Sequence, residues 1–190
     1  MEICEMKIKG FILHSRKEFV IENFGIEAWD KVLFSLPASD QKIYQGFIPT
    51  SDWYDFEIGQ RVDEAIFKML GKGSSEQFEE IGRKSARRHL TGIHAAFIES
   101  GNPQAFLRKA EMIYKYYYDQ GYREYEETGP TSGILTTYDA ETYSTPDCLT
   151  VIGWYKEALA MCGAKNISIT EKICRARGGE YCQYYVQWEM

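Results

Sequence analysis

No stretch of this sequence approaches about 18 consecutive apolar residues, so a membrane-spanning helix is excluded. Basic charge is in deficit: 22 lysines and arginines face 28 acidic residues, for a net charge of −6. That balance offers no global positive field to a nucleic-acid backbone, and no nucleic-acid partner is expected. The opening MEICEMKIKG has neither an apolar signal core nor a small-residue cleavage site. Export is therefore not expected, and the cytoplasm is the expected setting. Catalytic signatures are missing too. There is no Gly-x-Ser-x-Gly elbow, no His-Glu-x-x-His and no Gly-x-Gly-x-x-Gly fingerprint, so hydrolytic and dinucleotide-dependent redox chemistry have no motif to rest on. No internal repeat or low-complexity segment is present. The expectation is a binding protein and not an enzyme.

What is present fits one globular domain. The chain has 190 residues, 44% hydrophobic and 26% charged, enough to bury a single core without metal or disulfide support. Aromatic residues are in excess at 15%, with 14 Tyr, 10 Phe and 4 Trp. Cysteines number five, an odd count, and four of them fall at or after position 148. In a reducing compartment such clustering suggests metal ligation before disulfides.

Apolar periodicity predicts helices through most of the first two-thirds. Lys7–His14 reads as a short buried strand, and Ser15 as the cap of a helix through Phe19, Val20 and Phe24 to Gly25. Helices are predicted over Ile26–Leu36, ended by Pro37, and over Ile58–Met69 with Gly71 closing. Pro49–Asp52 marks a turn. After the polar loop Gly71–Glu76, long helices are predicted over Phe78–Ser100, with Leu90, Ile93 and Phe97 in its inner stripe, and over Pro103–Gln120. The period then changes. Tyr122–Glu127, Gly133–Tyr138, Ile167–Cys174 and Tyr181–Trp188 read as strands, with a helix over Cys148–Met161 capped by Asp147. The expected fold is α+β: a helical part over about 1–121 packed on a C-terminal antiparallel sheet over about 122–190, in a single domain.

Cys148, Glu171, Cys174 and Cys182 form the chemically richest set. Glu171-x-x-Cys174 has knuckle spacing, and a Gly178-Gly179 turn would fold Cys182 back toward Cys174. Cys148 lies at a predicted helix start, where the dipole favours a thiolate. Three thiolates and one carboxylate would make a closed tetrahedral zinc site of the structural kind. In a flat strand, residues 171 and 174 point to opposite faces, so the site needs a bulge or a strand end there. The plainer alternative is that these cysteines are small buried apolar residues.

The tail ITEKICRARGGEYCQYYVQW, with Cys148 lying 23 residues before Glu171, resembles the C-terminal signature of 4-vinyl reductase-type domains. These are small-molecule-binding modules that include the effector-sensing part of bacterial activators responding to phenols. In that sensor branch a Cys, a Glu and two further Cys hold zinc at the same spacing, which implies Cys148, Glu171, Cys174 and Cys182 as ligands here. The stretch KGFILHSRKEFVIENFGIEAWDKVL is similar to the opening of haem–nitric-oxide-binding domains, which share the fold with 4-vinyl reductase domains and with TRAPP-type trafficking subunits. With LPASDQKIYQGFIPTSDWY included, the run also resembles a family of myxobacterial paralogues of unknown function.

These resemblances imply a regulatory domain that senses a small apolar or aromatic ligand, with structural zinc and no catalysis. The expected partners are that ligand, a second copy in a homodimer, and a separate signalling protein. A TRAPP-like assembly module is the alternative and a haem-based gas sensor the third reading. Haem is set aside as a cofactor because no Tyr-x-Ser-x-Arg occurs anywhere in the chain. Candidate pocket residues are His94, Tyr114, Tyr117, Tyr122 and Trp154, since tyrosine and tryptophan suit pocket walls and interfaces alike. The basic run Arg83, Lys84, Arg87 and Arg88 reads as a solvated helix face, and Cys4 and Cys162 as ordinary thiols.

Overall fold

The computed structural model describes residues 6–71, 76–92, 94–140 and 144–190. The N-terminal strand is shorter than the sequence suggests. β1 spans Lys7–Lys9, and the chain turns helical at once in α1 (Gly10–Phe24). The cause is local crowding: Gly10 N–H donates to Asp52 O at 2.9 Å, and a Cβ at Gly10 would lie 2.2 Å from Pro49 O. Only glycine can cross the Pro49–Asp52 turn there. Ser15 is consequently inside α1, where its hydroxyl donates back to Ile12 O, and it caps nothing.

α2 (Ile26–Ser35) and α3 (Ala38–Gln45) follow, then β2 (Trp53–Asp55), which pairs antiparallel with β1, and α4 (Phe56–Met69). α5 spans Glu76–Leu90 and stops well short of Ser100. Thr91 Oγ1 donates to Arg87 O at 2.8 Å, and the chain leaves through Gly92 into a short 3-10 turn at Ala95–Phe97. The expected Leu90–Ile93–Phe97 stripe therefore does not form as one helix face, and Ile93 lies outside the described residues, as do Cys4 and positions 72–75 of the polar loop. The next expected helix is also interrupted, into α6 (Pro103–Leu107) and α7 (Ala110–Tyr117).

The C-terminal part matches the predicted period. β3 (Tyr122–Gly129), β4 (Ser132–Tyr138), β5 (Lys165–Ile173) and β6 (Cys182–Glu189) form one antiparallel sheet in the order β3-β4-β6-β5. Cys182, Tyr184, Val186 and Trp188 alternate inward along β6. α8 (Thr145–Met161) crosses between β4 and β5, and its cap is Ser144, whose Oγ accepts from Asp147 N–H at 3.4 Å. Asp147 lies inside the first turn and not at the cap position, and its carboxylate faces Arg16 Nη2, 3.5 Å away.

α5 and α8 approach so closely that a Cβ at Gly82 would lie 2.0 Å from Thr150 O, and one at Gly153 1.8 Å from Glu79 O. This glycine-mediated contact fixes α8 between the helical part and the sheet. The fold is α+β, as its sequence pattern implies. Among the described residues no helix is long and apolar enough to cross a membrane.

Candidate functional site

α8 carries residues of two buried polar groupings. At its N-terminal end, Cys148 faces the β5–β6 hairpin. The register between β5 and β6 slips between Glu171 and Ile173, so the bulge that the spacing required is present. The chain then makes a 3-10 turn at Arg175–Arg177 and reverses at Gly178, whose φ of 87° is left-handed. This brings one ligand atom each from Cys148, Glu171, Cys174 and Cys182 within 4.8 Å of one another.

The spacing suits an ion and not a covalent bridge. Cys148 Sγ lies 3.6 Å from Cys174 Sγ and 4.0 Å from Cys182 Sγ. A tetrahedron with metal–sulfur bonds of ~2.3 Å has edges of ~3.8 Å, between these values, whereas a disulfide needs ~2.05 Å. Glu171 Oε2 accepts from Arg177 at 2.9 Å, while Glu171 Oε1 is buried with no hydrogen-bond partner. An orphaned carboxylate oxygen among three sulfurs is the donor such a site uses. The contacts among the sulfurs split the thiols: Cys182 is pushed down to about 7, chiefly by its hydrogen bond with Cys148 and helped by the Arg175 N–H at 3.3 Å from its sulfur, while the same bonds and burial push Cys148 strongly up. The donor set is soft, four-coordinate and closed.

One to two turns further along α8 lies a cavity of about 50 Å³. Its wall takes Ile12 and Arg16 from α1, Gly82 and Ser85 from α5, Ile113, Tyr114 and Tyr117 from α7, and Thr150, Val151, Trp154 and Tyr155 from α8. Tyr118 and Arg123 complete it. Three of the expected pocket residues, Tyr114, Tyr117 and Trp154, are therefore brought together.

His94 and Tyr122 do not join them. Because α5 ends at Leu90, His94 sits in the following turn, stacked on Phe97 at 5.0 Å and edge-on to Tyr116. Tyr122 precedes the inward-facing Arg123 on β3, so alternation sends its ring the other way, onto Tyr138 at 5.2 Å. His89, on α5, bonds through Nδ1 to the Tyr117 hydroxyl behind the wall, and its ring stacks on Phe11. Burial and the neighbouring His94 push His89 down to about 3, so it is neutral near pH 7.

Two buried guanidinium groups were invisible to the sequence reading, because SRKEF and YREYEE look like surface charge. Arg16 is bonded by Nε and Nη2 to the two Asp63 carboxylate oxygens, each at 3.1 Å, and approaches Asp147 as well. Burial raises Asp147 to about 6 despite Arg16, with Asp63 adding to the rise. Arg123 donates from Nε to Thr137 Oγ1 at 2.8 Å and from Nη1 to Tyr155 OH at 3.4 Å. Tyr114 and Tyr155 present ring faces to it at 5.1 and 5.4 Å. The basic run on α5 is only in part a solvated face: Arg87 and Arg88 are exposed, Arg83 and Lys84 are half-buried, and besides Glu79 the run pairs with Glu18 and Glu22 of α1 and with the buried Glu157 of α8.

A family model described as a protein of unknown function (DUF2378) matches residues 62–189. No curated protein matches the chain. Among solved structures, the Fe(II) unliganded H-NOX protein from K. algicida superposes with a TM-score of 0.76 at 12% identity, covering 96% of this chain and 97% of that one. The H-NOX protein from S. oneidensis in the Fe(II)NO ligation state gives 0.71 at 14% identity, covering 96% and 100%. A third, solved in work on heme distortion in the H-NOX family, gives 0.71 at 13% identity, covering 96% of each chain.

At these identities the fold is shared. The expectation that sets haem aside in favour of zinc as the cofactor is overturned by these neighbours, which are iron and heme proteins by name; they share the fold alone, and the four-residue cluster stands on its own geometry. Among the described residues, His94 Nε2 is buried without a hydrogen-bond partner, a free imidazole nitrogen of the type that ligates haem iron. It lies outside the cavity wall, against Tyr116, and a space of about 50 Å³ takes only a few heavy atoms, so the residues as they stand do not fit a porphyrin.

Proposed function

Because the chain belongs to the family described as a protein of unknown function (DUF2378), we propose from its own geometry that it is a sensory domain. Its ligand enters the cavity between the helical part and the sheet. The observation that carries this reading is the wall itself, which draws on α1, α5, α7, β3 and α8 at once. A ligand bound there contacts both parts of the fold, and its burial favours whichever arrangement of them fits it best. The H-NOX fold of the solved neighbours and the resemblance of the tail to 4-vinyl reductase-type sensors support the same reading. It assigns the chain binding without catalysis, in a cytoplasmic setting, with a homodimer or a separate protein receiving the signal.

Within this reading the four-residue cluster is a structural metal site. Cys148, Glu171, Cys174 and Cys182 hold a thiolate-preferring divalent ion that ties the β5–β6 hairpin to the start of α8. The orphaned Glu171 Oε1 is the support for it. Elemental analysis of untagged protein tests it: one equivalent of metal that a Cys174→Ser/Cys182→Ser variant loses is expected, and a metal-free, fully folded chain overturns it.

Haem-based gas sensing is the second reading, favoured by the names of the structural neighbours and by the free nitrogen of His94. His94 lies outside the cavity wall and would hold haem only after that wall opens; haem would then supply an iron centre for a diatomic ligand. Reconstitution with haem separates the two readings. A Soret band lost in His94→Ala selects haem sensing. Thermal stabilisation by small aromatic compounds without a Soret band selects direct ligand sensing. A chain that responds to neither is not a sensor through this cavity.

A further inference from the structure

We propose that the cavity selects ligands bearing a carboxylate or a similar planar oxyanion, and that Arg123 is the residue that receives it. The proposal rests on the sensory reading and narrows its ligand from apolar to anionic.

The argument is a comparison of charges inside one wall. Arg16 and Arg123 both line the cavity and are both buried, at 4% and 5% exposure. Arg16 is compensated: Asp63 takes two of its donors, and Asp147 lies 3.5 Å from Nη2. Arg123 has no carboxylate within 4 Å among the described residues. Its partners are a hydroxyl, a phenol and two aromatic ring faces. The phenols do not supply the missing charge, because burial raises Tyr114, Tyr118 and Tyr184 well above their ordinary range. Asp147 and the Cys182 thiol feel its charge from a distance, but neither bonds to it, and a buried cation without a directly bonded counter-ion is poised to accept an anion.

Guanidinium geometry then sets the class. Among the described residues Arg123 directs only Nε and Nη1 to protein acceptors, which leaves Nη2 and further N–H groups of its planar fork for a two-pronged acceptor. A carboxylate presents two such oxygens, and a neutral amide only one. The space of about 50 Å³ accepts a group of a few heavy atoms without rearrangement. A larger aromatic acid enters only if Trp154 and Val151, which border the cavity and are partly exposed, swing outward.

Matched pairs on the intact chain test this: acetate against acetamide, and benzoate against benzamide, by calorimetric titration. The carboxylate of at least one pair is expected to bind ten times more tightly than its amide, or better. In Arg123→Met that ratio is expected to fall toward one, with Arg123→Lys between the two and near-ultraviolet circular dichroism reporting folding. Because Arg123→Met can disturb the Thr137 contact, the carboxylate-to-amide ratio on the unaltered chain is the primary readout. Equal affinity within both pairs overturns anion selection and leaves the sensory reading intact. No binding of any of the four compounds also overturns it, while the haem reconstitution above still decides the sensory reading.

Discussion

The thiolate cluster and the cavity both use α8, yet they are built in opposite ways. The cluster takes three of its four residues from one hairpin and closes on itself, with Cys148 Sγ 3.6 and 4.0 Å from the other two sulfurs. The cavity takes its wall from four helices and a strand, and its buried charges are unevenly paired. A locally closed site holds a part of the chain together, whereas a site assembled from distant segments reports on how those segments sit. Structure and signal are thus divided between two places a few residues apart on one helix.

The largest expected effect comes from emptying the cluster. With an ion present at a thousand times its dissociation constant, its loss removes about 4 kcal/mol of stability. Hydrogen exchange after chelation is expected to rise first in β5 and β6 while α1 and α5 stay protected. A uniform rise across the chain would show that the two regions are not separable.

Next comes Gly153→Ala, which drives a methyl group against Glu79 O, 1.8 Å from the ideal Cβ position. Overpacking of this kind costs roughly 1–3 kcal/mol, here at the upper end because the obstacle is backbone. Denaturant unfolding is expected to show the loss with metal stoichiometry unchanged, since prising α5 from α8 distorts the cavity and not the cluster.

The next effect is pH-dependent, is read as a slope, and belongs to His89 behind the cavity wall. His89 titrates near 3 when folded and near 6.5 when unfolded, so between those values the unfolded chain binds the extra proton. Its contribution to stability is complete above about pH 6.5 and is lost as the pH falls toward 3. Replacing His89 with Gln is expected to flatten this part of the stability profile, by at most one proton's worth of slope. An unchanged slope would mean that His89 is solvated in the folded state. Smallest of all is Ser144→Ala, which removes a cap bond already stretched to 3.4 Å and is expected to cost about 0.5 kcal/mol by thermal unfolding.

The two regions also differ in how well the sequence announced them. Cys148, Glu171, Cys174 and Cys182 stand out because cysteine is rare and their spacing encodes a hairpin, including the bulge between Glu171 and Ile173. The four sheet strands were likewise legible from alternation. The helical part was misread where tertiary crowding overrode local pattern: at Gly10, where a turn forbids a side chain, and at Thr91–Gly92, where α5 stops. The cavity was half legible. Tyr114, Tyr117 and Trp154 could be proposed as aromatic residues at plausible positions. Arg16, Asp63, Arg123 and Asp147 could not, because a charged residue looks the same in sequence whether it faces water or a buried partner 47 residues away, as Arg16 does with Asp63. A helix boundary decided the His94 error, since the end of α5 moved it out of the wall, and strand alternation decided that of Tyr122.

The central claim is that a ligand occupies this cavity, and filling the cavity tests it most directly. Ser85 lies in the wall, is buried, and can be enlarged to leucine from a rigid helical position. Equilibrium binding of haem and of the small carboxylates and aromatic compounds is measured on the unaltered chain and on Ser85→Leu, with unfolding curves confirming equal stability. A sensory cavity requires saturable uptake of one ligand class at one per chain, weakened at least tenfold in Ser85→Leu. Uptake unaffected by the leucine, or no uptake of any class by the unaltered chain, would contradict it.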